Sequence, residues 1–222
     1  MFYRLILVLS ATVSLAACVT SGDVPRDNEG SPQEAAQINY ELGSQYLRQG
    51  RNKLARERLE RATEQDPNLP GPHMALALLY ERTGETDRAD DAYRKALKVA
   101  PNDANAQNSY AVFLCNRGEH AAGQKYFQKA ANNKSNRSPA VAFNNAGVCA
   151  LEQPDLVAAE GFFRQALKRD QNFSDALLQM ASVSLRTGKY LPARAFIERY
   201  GSVTEMTAES LLLEAKCEGV YF

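Results

Sequence analysis

The chain has 222 residues, with 26 Lys and Arg against 26 Asp and Glu, 45% apolar and 23% charged residues. That composition belongs to a globular protein able to bury a substantial core, and a zero net charge without a basic block excludes the electrostatic footprint of a nucleic-acid binder. His73 and His120 are the only two His, and the four Cys contain no Cys-x-x-Cys, so local spacing supplies no metal-ligand set. Neither metal nor cofactor is expected.

In chain order, the first feature is the apolar run Leu5 to Leu15, which follows Arg4 and precedes Ala16, Ala17 and Cys18. It is too short to remain as a membrane-spanning helix and has the form of a secretory signal peptide. Leu15-Ala16-Ala17-Cys18 resembles the bacterial lipobox. That resemblance implies removal of residues 1–17 and a mature protein tethered by an acylated Cys18, each buried CH₂ contributing about 0.8 kcal/mol. Val19 replaces the Asp that retains enteric lipoproteins in the inner membrane, which implies the outer membrane. Residues 18–32 are rich in Gly, Pro, Ser, Asp and Asn and read as a flexible spacer.

Beyond the spacer the chain repeats. Ala55, Ala89, Ala159 and Ala193 share one column with Gly123, in steps of 34, 34, 36 and 34 residues. Ala62, Ala96, Ala130, Ala166 and Tyr200 form a second column seven residues on; Gly50, Gly84, Gly118 and Gly188 form a third, broken by Pro154. The physical reading is a helical hairpin: small residues where two helices cross closely, Gly where the chain turns with a left-handed backbone, and Pro67 and Pro101 where the second helix must stop. NNKSNRSPA, which holds the two extra residues between units three and four, predicts a longer exposed connection.

The period and columns are similar to the tetratricopeptide repeat. Leu42-Gly43, Tyr46, Ala55, Leu59, Ala62 and Pro67 carry the resemblance in the first unit, and Leu76-Ala77, Tyr80, Ala89, Tyr93, Ala96 and Pro101 in the second. The expected fold is an all-α solenoid of five full repeats over residues 33–206, with residues 207–222 as a partial sixth repeat or capping helix. The resemblance implies a concave groove lined by the first helix of each unit and bound by a segment of another protein. Tyr40, Ser44, Leu47, Met74, Asn108 and Asn144 are its candidates; Leu78, Val112 and Val148 share the stripe but read as packing residues. Tyr40 and Ser44 stand where carboxylate-clamping relatives carry Lys and Asn, so recognition of a C-terminal carboxylate is not expected.

Cys115 and Cys149 fall near the ends of neighbouring first helices. Two readings are open: a disulfide between units three and four, favoured in an exported protein, or two buried thiols acting as small apolar residues. Cys217 is left over.

The lipobox, the spacer and the repeats together resemble the type IV pilus biogenesis and stability lipoproteins, or pilotins, most of all in NSYAVFLCNRGEHAAGQKYFQKA and FNNAGVCALEQPDLVAAEGFFRQAL. The resemblance implies a non-catalytic lipoprotein on the periplasmic side of a Gram-negative outer membrane. Its partner is then the type IV pilus secretin, which it brings to that membrane and helps to multimerise, without nucleic acid or small-molecule substrate. The family is described with six units, which makes the short sixth a departure. A general envelope scaffold would use the same anchor and solenoid.

Overall fold

The computed structural model describes residues 31–153 and 155–219, so the signal peptide, Cys18, most of the spacer and Pro154 lie outside the described residues. Among the described residues there are eleven α-helices and no strand. They are α1 (Pro32–Arg48), α2 (Asn52–Gln65), α3 (Pro70–Thr83), α4 (Thr86–Val99), α5 (Ala104–Asn116), α6 (His120–Asn132), α7 (Pro139–Glu152), α8 (Leu156–Arg169), α9 (Ser174–Arg186), α10 (Tyr190–Val203) and α11 (Ala208–Cys217). The first ten form five antiparallel hairpins, each packed on the next. None of the described helices is long and apolar enough to cross a membrane.

Local chemistry fixes the helix ends. Ser31 and Glu34 close a capping box on α1, while Asp103 and Asp155 accept backbone N–H bonds at the starts of α5 and α8. Gly50, Gly84, Gly118 and Gly188 turn the hairpins at φ of 71° to 81°, a region any side chain would strain. The two small columns lie where the helices of a hairpin cross, and all eight of their Ala residues are 0% exposed. Between the columns one large side chain per unit fills the hairpin: Leu59, Tyr93, Phe127, Phe163 and Ile197, none more than 1% exposed. Burying such a side chain contributes about 1.5–3 kcal/mol, so this single column supplies much of the cohesion of the stack.

In units one to four the residue following the first small column makes a polar contact to the next unit, a register device that the identity of the residues conceals. Arg56 pairs with Glu85. Asp90 accepts from the Tyr110 hydroxyl at 2.7 Å and lies 3.9 Å from Arg117. Gln124 donates to the Ala146 carbonyl at 2.8 Å, and Glu160 pairs with Lys189 at 3.0 Å. The first junction is the most elaborate, because Arg88 bonds Glu60, Glu85 and the Tyr80 hydroxyl, which itself donates to Glu60. Burial, then that bond to Glu60, pushes the Tyr80 phenol up to about 12.

The 133–138 connection is exposed over much of its length but tied down. Asn133 donates to the Asn102 carbonyl and Asn136 to the Ala130 carbonyl, at 2.7 and 2.8 Å. α11 covers the end of the fifth hairpin through Leu213 and Ser210, which sit against Ile197 and Ala181 or within the helix's own capping box. Its outward side is not the polar face expected of a cap, since Leu211 and Leu212 are each 51% exposed.

Candidate partner-binding groove

α1, α3, α5, α7 and α9 each bury one side against their own second helix and the next unit, leaving a strip of partly exposed residues along the array. The structure divides the candidates for that strip. Ser44, Met74 and Asn108 are half-buried and keep accessible surface. Tyr40 is also half-buried, but its ring lies over Gly71, where an added Cβ would come within 2.7 Å of Tyr40 Cζ. Tyr40 therefore joins units one and two as well as bordering the groove.

Leu47 and Asn144 correct the reading from sequence. Both are buried, at 7% exposure, Asn144 even though it holds the same repeat position as the half-buried Tyr40, Met74 and Asn108. Conversely, Leu78 and Val148, read as packing residues, are 45% and 39% exposed, and Val112 is half-buried. Apolar spacing alone predicts burial for all three; a solenoid leaves part of the stripe uncovered because only one side of each first helix meets a neighbour. Leu78 and Val148 are thus apolar groups open to solvent along the strip.

The polar part of the groove is made of amides. Asn145 Nδ2 donates to Asn108 Oδ1 at 3.2 Å across α5 and α7. Asn144 Oδ1 is buried and accepts no hydrogen bond among the described residues, which leaves an acceptor whose burial is costly unless a donor reaches it. Beside these amides a cavity of about 90 Å³ is lined by Val112, Cys115, Asn116, Phe127, Asn145, Val148, Cys149 and Glu152.

Cys115 and Cys149 are joined as a disulfide, with Cα atoms 5.8 Å apart, and Cys217 is free. The bridge explains why the third unit departs from Ala in the first small column. A Cβ on Gly123 would stand 2.6 Å from Cys115 Sγ and 2.9 Å from the Ala111 carbonyl oxygen, so the sulfur occupies the space an Ala methyl takes elsewhere. Ala111, Cys115, Phe127, Ala146 and Cys149 form a small core of their own between the larger clusters of units one to three and three to five. His73 has a structural place, with Nε2 2.9 Å from the Pro67 carbonyl oxygen. His120 lies beside the bridge, a position that its sequence neighbours do not reveal.

Helical hairpins of this period, with small columns at every crossing, define a helical-repeat solenoid of the kind that mediates protein–protein interaction, and the comparisons agree on the fold. The chain belongs to the tetratricopeptide repeat family: one tetratricopeptide repeat model matches residues 72–188 and another residues 43–84.

Among particular relatives, it is 29% identical over 222 residues to the type IV pilus assembly protein PilF of Pseudomonas aeruginosa, spanning 100% of this chain and 88% of that protein. The solved structure of P. aeruginosa PilF superposes with a TM-score of 0.76 at 28% identity, covering 85% of each chain. That of PilW, described as a widely conserved type IV pilus biogenesis factor, superposes at 0.72 and 28%, covering 83% of this chain and 86% of the other.

Proposed function

We propose that the protein is a non-catalytic lipoprotein that binds the type IV pilus secretin along this groove. Through an acylated Cys18 it is held at the outer membrane, facing the periplasm, where it promotes localisation and multimerisation of the secretin. The observation that carries the proposal is similarity to PilF, named for type IV pilus assembly, over the whole chain and most of PilF's length. Residues 1–17 are the leader and residues 18–32 the spacer that gives the solenoid reach from the bilayer.

The groove suits an extended or strand-edge segment. Leu78 and Val148 offer apolar contacts, and the half-buried Asn108 and Asn145 amides offer donors and acceptors to a main chain, a pairing that requires little net charge. Disulfide formation between Cys115 and Cys149 accords with export to an oxidising compartment.

The test is affinity capture from detergent-solubilised envelopes. The native protein should recover the secretin, while Leu78→Asp with Val148→Asp should recover at least tenfold less and retain full helicity, because both side chains are partly exposed. Equal capture by the double variant contradicts the groove. Absence of the secretin from the native eluate contradicts the partner and favours a general envelope scaffold.

A further inference from the structure

The geometry points to a second state of the unit three to four junction, in which the reduced cysteines, with His120 and Glu152, hold one tetrahedral zinc-type cation. Four features place the ligands. Cys115 is near the end of α5, and the Gly118 turn then presents His120 as the first residue of α6. Cys149 and Glu152 stand three apart on α7, hence on one face. The ligand atoms of Cys115, Cys149 and His120 all lie within 4.8 Å of one another. Glu152 Oε2 is 3.5 Å from His120 Nδ1, which is 3.7 Å from Cys149 Sγ.

Those distances match a coordination polyhedron. With Zn–S near 2.3 Å and Zn–N and Zn–O near 2.0–2.2 Å, a tetrahedron has edges of about 3.6 Å from sulfur to nitrogen and about 3.4 Å from nitrogen to oxygen. The two sulfurs must part from bonded contact to a separation of about 3.8 Å. The 90 Å³ cavity lined by Cys115, Cys149 and Glu152 gives them room.

The transition is balanced by a dithiol reductant. It transfers two electrons and two protons, leaves as its own disulfide and converts Cys115 and Cys149 to thiols. Binding of the dication then releases the two thiol protons to solvent, leaving two thiolates, the Nδ1 lone pair and the carboxylate as ligands. The oxidised chain offers none of the thiolates, so the bridge and the cation exclude one another at a single place in the stack.

The experiment uses the full chain, reduced with a dithiol, freed of it under argon and titrated with Co²⁺ and then Zn²⁺ while helicity is followed by circular dichroism. The expected result is one Co²⁺ per chain, with a thiolate charge-transfer band and tetrahedral d–d bands, displaced by Zn²⁺ and absent from the oxidised chain. His120→Ala and Glu152→Gln should each weaken binding at least about tenfold, whereas Cys217→Ser should leave it unchanged. Several results overturn the site: no tetrahedral cobalt in a helical reduced chain; loss of helicity that Zn²⁺ does not restore; equal binding by oxidised chain; or binding that depends on Cys217 and ignores His120.

Discussion

Replacing Gly123 by Ala gives the third unit the residue that Ala55, Ala89, Ala159 and Ala193 supply in the others, and the repeat pattern taken by itself predicts a gain. At an open helical position Gly→Ala stabilises by about 1 kcal/mol through helix propensity. Gly161 in α8 is such a position, for an added Cβ there meets nothing within 4 Å. At Gly123 the Cβ would press on Cys115 Sγ at 2.6 Å and the Ala111 carbonyl at 2.9 Å. One belongs to a crosslink and the other to a helix backbone, so neither retreats by a side-chain rotation.

Overpacking of this type costs about 2 kcal/mol. The net effect of Gly123→Ala is therefore a loss of about 1 kcal/mol where Gly161→Ala gains about 1. With a urea m-value near 2 kcal/mol per M, the two midpoints should separate by about 1 M, on opposite sides of the native one. Urea unfolding followed by far-ultraviolet circular dichroism measures the difference. Equal stabilisation by both substitutions would refute the claim that the bridge dictates Gly123.

Three further outcomes follow from the packing. Phe163→Ala, which empties a position 0% exposed between the small columns, should destabilise by about 3–5 kcal/mol in thermal or urea unfolding. Reducing the disulfide in the presence of a chelator removes a crosslink over 34 residues and should lower stability by about 4 kcal/mol; thiol counting on denatured, unreduced protein should find only Cys217 of these three cysteines reactive. The Thr83 hydroxyl first, and then Arg56 and Arg88, hold the Glu85 carboxyl down at about 2 from an ordinary 4.5. A depressed carboxylate stabilises above its ordinary value and loses that contribution as the pH falls toward 2, so native stability should decline more steeply than that of Glu85→Gln between pH 5 and pH 2 in parallel urea titrations, within the window those values set.

The columns were legible because their cause is local and strict: two helices cannot approach unless Ala or Gly stands at the crossing, and a turn needs a residue at ease with positive φ. Arg56, Asp90, Gln124 and Glu160 are not legible as a set because what they share is position, not residue type; their signal is a polar side chain after the first small column, with a complementary group such as Glu85, Tyr110 or Lys189 in the following unit. The groove was only half legible. Which residues lie on a first helix follows from the period, but the division between Leu78, partly exposed, and Asn144, buried, depends on the angle at which successive units stack, which no single helix encodes. His120 was invisible for the same reason, since its neighbours are sulfurs and a carboxylate contributed by two other helices.

The central claim is that this solenoid assists secretin assembly, and the most direct measurement is the state of the secretin in membranes fractionated from a deletion strain of the source bacterium. The account predicts that heat-resistant secretin multimers fall sharply and leave the outer-membrane fraction, that the native gene restores them, and that a Cys18→Ser form restores multimers at most outside the outer membrane. Normal levels of multimer in the outer membrane of the deletion strain would contradict it.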